Sequence, residues 1–289
     1  MLLKKTLKNI LPFFIVEHYR CRKMPVSNSE KQLQLKTSIS DNMVYPDYCL
    51  KASNDVSIFQ NFRQNSVYRQ VLEHVDEKTG QLYLDEVKKI NKDLLKNIDV
   101  IKENDIYGNP QLFDYSGIGK ICPSTLRYAK VLADLLKLFG SLDNFSIAEI
   151  GVGYGGQCRI VNSANKPMEY TLIDIKPALL LAQCYLDGYV LSSKMKYLTM
   201  NELGKKSYDL IISNYAFTEL KREIQDVYLE KVILNSKRGY ITYNEIAPDS
   251  FKPYKKEELI KIIPKAQVIE EIPLTAPKNC IIIWGINEQ

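Results

Sequence analysis

The sequence predicts an α/β fold in which a seven-stranded, mostly parallel sheet ends in an antiparallel hairpin and follows a mainly helical N-terminal region. Three observations carry this. Beyond Gly140, β-rich runs at 145–150, 170–174, 196–200, 208–213, 239–243, 267–272 and 279–284 alternate with helical segments at 157–164, 177–186, 219–235 and 255–263. That is the pattern of parallel strands joined by covering helices. The last two runs are separated only by residues 273–278, too few for a parallel crossover, so they pair antiparallel. Before Gly140, apolar residues recur at helical spacing.

Leu84, Val87, Ile90, Leu94, Ile98 and Ile101 recur three or four apart and predict an amphipathic helix over 81–103. The stretch 105–123, rich in Gly, Pro, Asn and Tyr, reads as an ordered loop. Pro123 and Ser124 open a second helix, with Leu126, Ala129, Leu132, Ala133, Leu136 and Phe139 on one face and Gly140 as its stop. Residues 24–65 are polar and read as loosely structured or as short helices. The organisation is therefore a basic segment over 1–23, a mainly helical region over 24–122 placed to cap a site, and a ligand-binding sheet domain over 123–289.

The 289 residues are 45% apolar and 25% charged, enough to bury a full core, which excludes collagen-like, disordered and disulfide-scaffold chains. The net charge of +5 is local: residues 1–23 carry six cations against Glu17, and the other 266 residues hold 33 charges of each sign. A neutral body gives no support to a nucleic-acid partner, which needs a basic face. The apolar run 10–16 is too short to span a membrane and lacks a small-residue cleavage site. Segment 1–23 suits either peripheral contact with an anionic membrane face or docking on its own domain. Six scattered cysteines without a CxxC pair suggest neither a zinc site nor a disulfide framework, so a cytoplasmic location is the simplest reading. His18 and His74 are the only histidines, which excludes a Ser-His-Asp triad built within the second half.

The first β run leads into Glu149-Ile150-Gly151-Val152-Gly153-Tyr154-Gly155-Gly156-Gln157 directly before a helix. Glycines permit a sharp strand-to-helix turn and a ligand approaching the backbone. The window also satisfies GxGxxG, so by itself it admits NAD or FAD. Asp174, ending the second run, suits acceptance of hydrogen bonds from both ribose hydroxyls of either ligand class. Three features favour S-adenosylmethionine. An acid, Glu149, opens the loop, where it would repel a pyrophosphate but suit a ligand carrying ammonium and sulfonium groups. The terminal hairpin is unusual for dinucleotide sheets. The fourth run ends in the polar-aromatic loop Ser213-Asn214-Tyr215-Ala216-Phe217-Thr218-Glu219-Leu220 at the carboxyl mouth of the sheet.

These residues resemble the class I S-adenosylmethionine-dependent methyltransferases. With Asp105-Ile106-Tyr107-Gly108-Asn109-Pro110, Pro123-Ser124-Thr125-Leu126-Arg127-Tyr128 and Tyr243-Asn244-Glu245, the chain is most similar to the bacterial sugar O-methyltransferase family, over 105–284. The resemblance implies a Rossmann-like sheet whose strand order reverses beside the glycine loop and whose seventh strand runs antiparallel. It also implies a sugar or glycoconjugate acceptor in surface polysaccharide synthesis. On this reading Gly151, Gly153 and Gly155 line the methionine part, Glu149 supports its ammonium end, and Arg127 pairs with its carboxylate through a planar fork. Asp174 holds the ribose, Asn201 and Glu202 lie near the adenine, and Ser213 and Asn214 flank the sulfonium.

A sugar hydroxyl is a poor nucleophile while protonated, so a general base helps. With no histidine in the sheet region, Glu219 and Glu245 are the candidates, acting singly or sharing a divalent cation. Tyr154, Tyr215 and Tyr243 are candidates to stack on a sugar ring. The competing functions are a methyltransferase of the same fold acting on a non-sugar metabolite, a catalytically silent binding module, and an NAD-dependent oxidoreductase.

Overall fold

The structure, a computed structural model, describes Ser38 and residues 44–286. The basic segment 1–23, with its expected membrane or docking role, lies outside the described residues. Among the described residues five helices come first: α1 (Val44–Asn54), α2 (Val56–Gln60), α3 (Ser66–Val71), α4 (Glu77–Asn91) and α5 (Ile98–Lys102). A two-stranded antiparallel ribbon, β1 (Phe113–Tyr115) with β2 (Gly119–Ile121), precedes α6 (Pro123–Phe139). The α/β part then runs β3 (Ser146–Ile150), α7 (Gly156–Ala164), β4 (Glu169–Ile173), α8 (Lys176–Leu186), β5 (Lys194–Leu198) and β6 (Leu210–Asn214). It closes with α9 (Arg222–Lys231), β7 (Gly239–Tyr243), α10 (Lys256–Ile262), β8 (Gln267–Glu270) and β9 (Cys280–Trp284).

The seven strands lie in the order β5-β4-β3-β6-β7-β9-β8. All neighbours from β5 to β7 pair parallel, and β9 runs antiparallel between β7 and β8. The order reverses between β3 and β6, so the loops after these two strands diverge and leave a crevice at their carboxyl ends, the place where open α/β sheets bind ligands. The expected sheet, its reversal beside the glycine loop and its terminal hairpin are all present.

Strand alternation divides the apolar residues between two faces. Ile147, Tyr170, Leu172, Leu210, Ile212, Tyr240, Ile281 and Ile283 join one buried cluster, and Ala148, Ile150, Ile211, Ile241, Ile282 and Trp284 join the other with Tyr228, Leu229 and Leu259 of α9 and α10. The first cluster also takes in Tyr45, Cys49, Phe59, Phe62, Tyr68, Leu84 and Val87 from the N-terminal helices. These helices thus share the core of the sheet, with α1 on α8 and α4 on α6.

Three local expectations are corrected. The amphipathic helix over 81–103 breaks after Asn91, whose φ of −155° leaves the helical region, and continues as a 3-10 turn (Lys92–Asn97) before α5. Asparagine side chains compete with helix hydrogen bonds, so a break there is cheap. The loop 105–123 contains the β1–β2 ribbon, whose three-residue strands are too short to show a period. The helix expected over 219–235 is α9 flanked by two 3-10 turns, Ala216–Glu219 and Ile233–Asn235. Cys49, Cys122, Cys158 and Cys280 are free and buried. No helix among the described residues is long and apolar enough to cross a membrane.

A buried ionic network ties the N-terminal region to the crevice. Arg63, 1% exposed, donates to Glu73 at 2.8 and 3.3 Å, to Asp105 at 3.1 Å and to the Asn104 carbonyl at 3.1 Å. Its guanidinium lies 4.8 Å from the ring centre of Tyr154 in the glycine loop. Asp105 also accepts from the Cys122 amide and the Thr125 hydroxyl, fixing the entrance of α6.

Candidate functional site

The glycine loop turns from β3 to α7 through three left-handed residues, Gly151 (φ +76°), Gly153 (φ +54°) and Gly155 (φ +86°), a backbone that side chains with a Cβ rarely adopt. Packing requires one of them as well. A Cβ on Gly151 would stand 2.0 Å from the Cβ of Ala216. Asp174, just past β4, is pinned to the same loop. One carboxylate oxygen accepts from the amides of Val152 (2.8 Å) and Gly153 (3.2 Å), and the other from the amide of Ile175 (2.7 Å). The structure therefore brings Gly151, Gly153, Gly155 and Asp174 together. A loop with this curvature, beside an oriented carboxylate at the switch point, fits the ribose and amino-acid halves of a nucleoside ligand. Leu72, arriving from the N-terminal region, covers the outer side of Gly153.

Glu149 is placed differently from expectation. It is 2% exposed, accepts a 2.7 Å hydrogen bond from the Tyr170 hydroxyl, and lies on the sheet face that packs against α7. Burial pushes its carboxyl up to about 8, which favours its neutral form. It braces the loop from beneath through Tyr170. The argument from charge against a diphosphate is weakened by this burial.

Ser213 is fully buried and works as a clip, donating to the Ile150 carbonyl (3.0 Å) and accepting from the Phe217 amide (3.1 Å). Asn214 turns toward the crevice, between Gln157 and Thr242. Tyr215 follows with φ +67° and ψ −37°, a strained backbone for an aromatic residue, of the kind that persists where surroundings over-determine it. Its hydroxyl is held by Glu271 and Thr275. Asn201 and Glu202 are exposed after β5, where Glu202 caps the turn by accepting from Thr199. Tyr154 and Tyr243 are 0% and 1% exposed. Both belong to the core, so of the three tyrosines only Tyr215 faces the crevice.

The two candidate bases differ sharply. Glu219 accepts from the Asn244 side chain at 2.7 Å, and burial raises its pKa. Asn244 in turn accepts from the Thr218 hydroxyl, which fixes the orientation of the pair. Glu245 sits nearer solvent, accepting from Lys278 at 3.0 Å and Tyr243 at 3.2 Å. The Lys278 ammonium holds its pKa below the ordinary range. The two carboxylates thus have different hydrogen-bond partners. No group of three or more His, Cys, Asp or Glu side chains gathers to hold a metal ion among the described residues.

Arg127, on the first turns of α6, is 8% exposed and donates to the Leu72 carbonyl at 3.2 Å. It lines a small void with Tyr83, Lys130, Asn214, Tyr215 and Glu271. Two features escaped the sequence reading. Glu271 and Lys130 enter the crevice from β8's end and α6. His74 lies exposed on the loop between α3 and α4, where desolvation and the nearby Arg127 charge lower its pKa. Periodicity carries no signal for a loop folding back across a crevice.

No family model matches the chain, and no curated protein matches it. Solved structures do. Magnesium protoporphyrin IX methyltransferase from Synechocystis PCC 6803, with bound S-adenosylmethionine, is 14% identical over 72% of this chain and 96% of its own, with a TM-score of 0.41. An S-adenosylmethionine-dependent methyltransferase from Mesorhizobium loti is 10% identical over 52% and 94%, with a TM-score of 0.40. The methyltransferase domain of bacterial CtHen1 is 13% identical over 56% and 97%, with a TM-score of 0.41. At such identities the likeness is one of fold, and none of these comparisons supports the sugar-directed family that the motifs resemble.

Proposed function

We propose that the chain is an S-adenosylmethionine-dependent methyltransferase acting on a sugar hydroxyl in surface polysaccharide or glycoconjugate synthesis. The observation that carries the reading is the glycine loop at the switch point, with Asp174 oriented by the loop's own amides. Asp174 accepts the ribose hydroxyls, the loop backbone takes the amino-acid half, and Asn214 faces the reacting centre. Bound there, S-adenosylmethionine supplies a methyl group on a sulfonium, an excellent leaving group. The sugar acceptor rests on motif resemblance alone.

The chain's task is to hold the hydroxyl in line, exclude water and accept its proton. Glu219 suits the last role. Burial makes it a stronger base than an ordinary carboxylate, whereas Glu245 is made weaker by Lys278. A base acts deprotonated, so turnover is lost as pH falls through the raised pKa of Glu219. Glu219→Gln is expected to lower kcat by about 10²–10³-fold, leave cofactor affinity unchanged, and remove this acid limb from the pH–rate profile. An intact acid limb in the variant would assign the base elsewhere. The acceptor class is tested by mass spectrometry of surface glycans from cells with and without the protein. Loss of one methyl is expected, restored by the wild type and not by Glu219→Gln. An unchanged glycan pattern contradicts the sugar reading.

A further inference from the structure

Resting on the methyltransferase reading, we infer that the acceptor carries an anionic group, a carboxylate or a phosphate, and that Arg127 reads it. Arg127 is buried, yet among the described residues no carboxylate lies within ion-pair distance of it. Its partners are neutral: the Leu72 carbonyl and the side chain of Tyr128, whose ring centre lies 5.4 Å from the guanidinium carbon, with Tyr83 and Tyr215 nearby. Burying a guanidinium without a counter-charge is costly unless something pairs with it.

The other charges around the void are already engaged. Lys130 pairs with Asp134 at 2.7 Å, and Asp134 also accepts from Tyr240. Glu271, 6% exposed, accepts from Tyr215 and Thr275. Arg127 and Glu271 therefore face one void from different walls, a donor fork and an acceptor-only carboxylate. This pairing suits a ligand bearing an anion and a hydroxyl together.

Position separates this site from the cofactor's amino-acid end. The void is lined by the ends of β6 and β7 and by the terminal hairpin, and by no residue of the glycine loop. Leu72 stands between, its side chain on Gly153 and its carbonyl on Arg127. The void measures about 20 Å³, room for a water molecule. It therefore takes one oxygen of the anionic group beside the guanidinium, and the rest of the acceptor lies outside, at the rim lined by Ile272, which is 40% exposed.

The test is calorimetry on the full chain saturated with S-adenosylhomocysteine, using glucuronate, glucose 6-phosphate and glucose as probes. At least one anionic sugar is expected to bind ten-fold or more tightly than glucose, and the pair of anions separates a carboxylate from a phosphate site. Arg127→Met is expected to erase the preference, and Arg127→Lys to keep part of it, because lysine retains charge without the fork. S-adenosylhomocysteine and 5′-methylthioadenosine, which lacks the amino-acid half, are expected to bind wild type and Arg127→Met alike. Retained binding also shows that the variant is folded. Equal affinity of wild type for all three sugars, or no binding of any, overturns the inference. So does an Arg127→Met variant that loses affinity for S-adenosylhomocysteine and not for methylthioadenosine, since the guanidinium then serves the cofactor's carboxylate. Failure of wild type to bind S-adenosylhomocysteine at all overturns the methyltransferase reading itself.

Discussion

Replacing Asp174 with alanine is expected to lower affinity for S-adenosylhomocysteine at least a hundredfold. Hydrogen bonds to a charged group contribute about 1.5–3 kcal/mol each, so losing two ribose hydroxyls amounts to about 3 kcal/mol or more, beyond two powers of ten. The structure adds a second cost. The same carboxylate orients the amides of Val152 and Gly153, so alanine also releases the loop that the ligand must meet. Asp174→Asn keeps one acceptor oxygen and is expected to fall between the two. Calorimetric titration of the three proteins checks the order, and unchanged affinity in the alanine variant would remove Asp174 from the site.

The second large effect concerns stability. Arg63→Met leaves Glu73 and Asp105 buried without their cation, and breaking such a pair from one side costs about 3–5 kcal/mol. In a chain of this size that is a fall of about 10 °C in Tm. Because Arg63 also lies over Tyr154 of the glycine loop, S-adenosylhomocysteine should bind the variant more weakly even below its Tm. Replacing Glu73 and Asp105 with their amides in the same chain should recover part of the loss, since the stranded charges are then gone. A Tm within about 2 °C of wild type would show that the network is not structural.

The sheet was legible because its strands are continuous apolar runs bounded by turn residues. β7 is found at 239–243 as read, and the others shift by only a few residues. The α6 start at Pro123 and its stop at Gly140 follow local backbone rules and were legible for the same reason. The short β1–β2 ribbon and the break after Asn91 were not, since tertiary packing decides them. The left-handed turn through Gly151, Gly153 and Gly155 beside Asp174 was readable because backbone curvature at a strand end is written in residue type. The burial of Glu149 and its bond from the Tyr170 hydroxyl depend on tertiary packing and were not legible. Arg127 reads from sequence as a surface helix cation or a cofactor ligand; its enclosure by the Leu72 loop comes from residues more than fifty positions away. Glu271 carries no local mark at all.

With Glu149 buried and its pKa raised, the sequence argument separating a sulfonium ligand from a dinucleotide is weaker in its electrostatic part, and direct competition becomes decisive. Titrating the wild-type chain in parallel with S-adenosylhomocysteine and with NAD, by calorimetry at pH 7, measures that choice. Saturable binding of S-adenosylhomocysteine with none of NAD is the predicted result. Binding of NAD in preference to S-adenosylhomocysteine would contradict it.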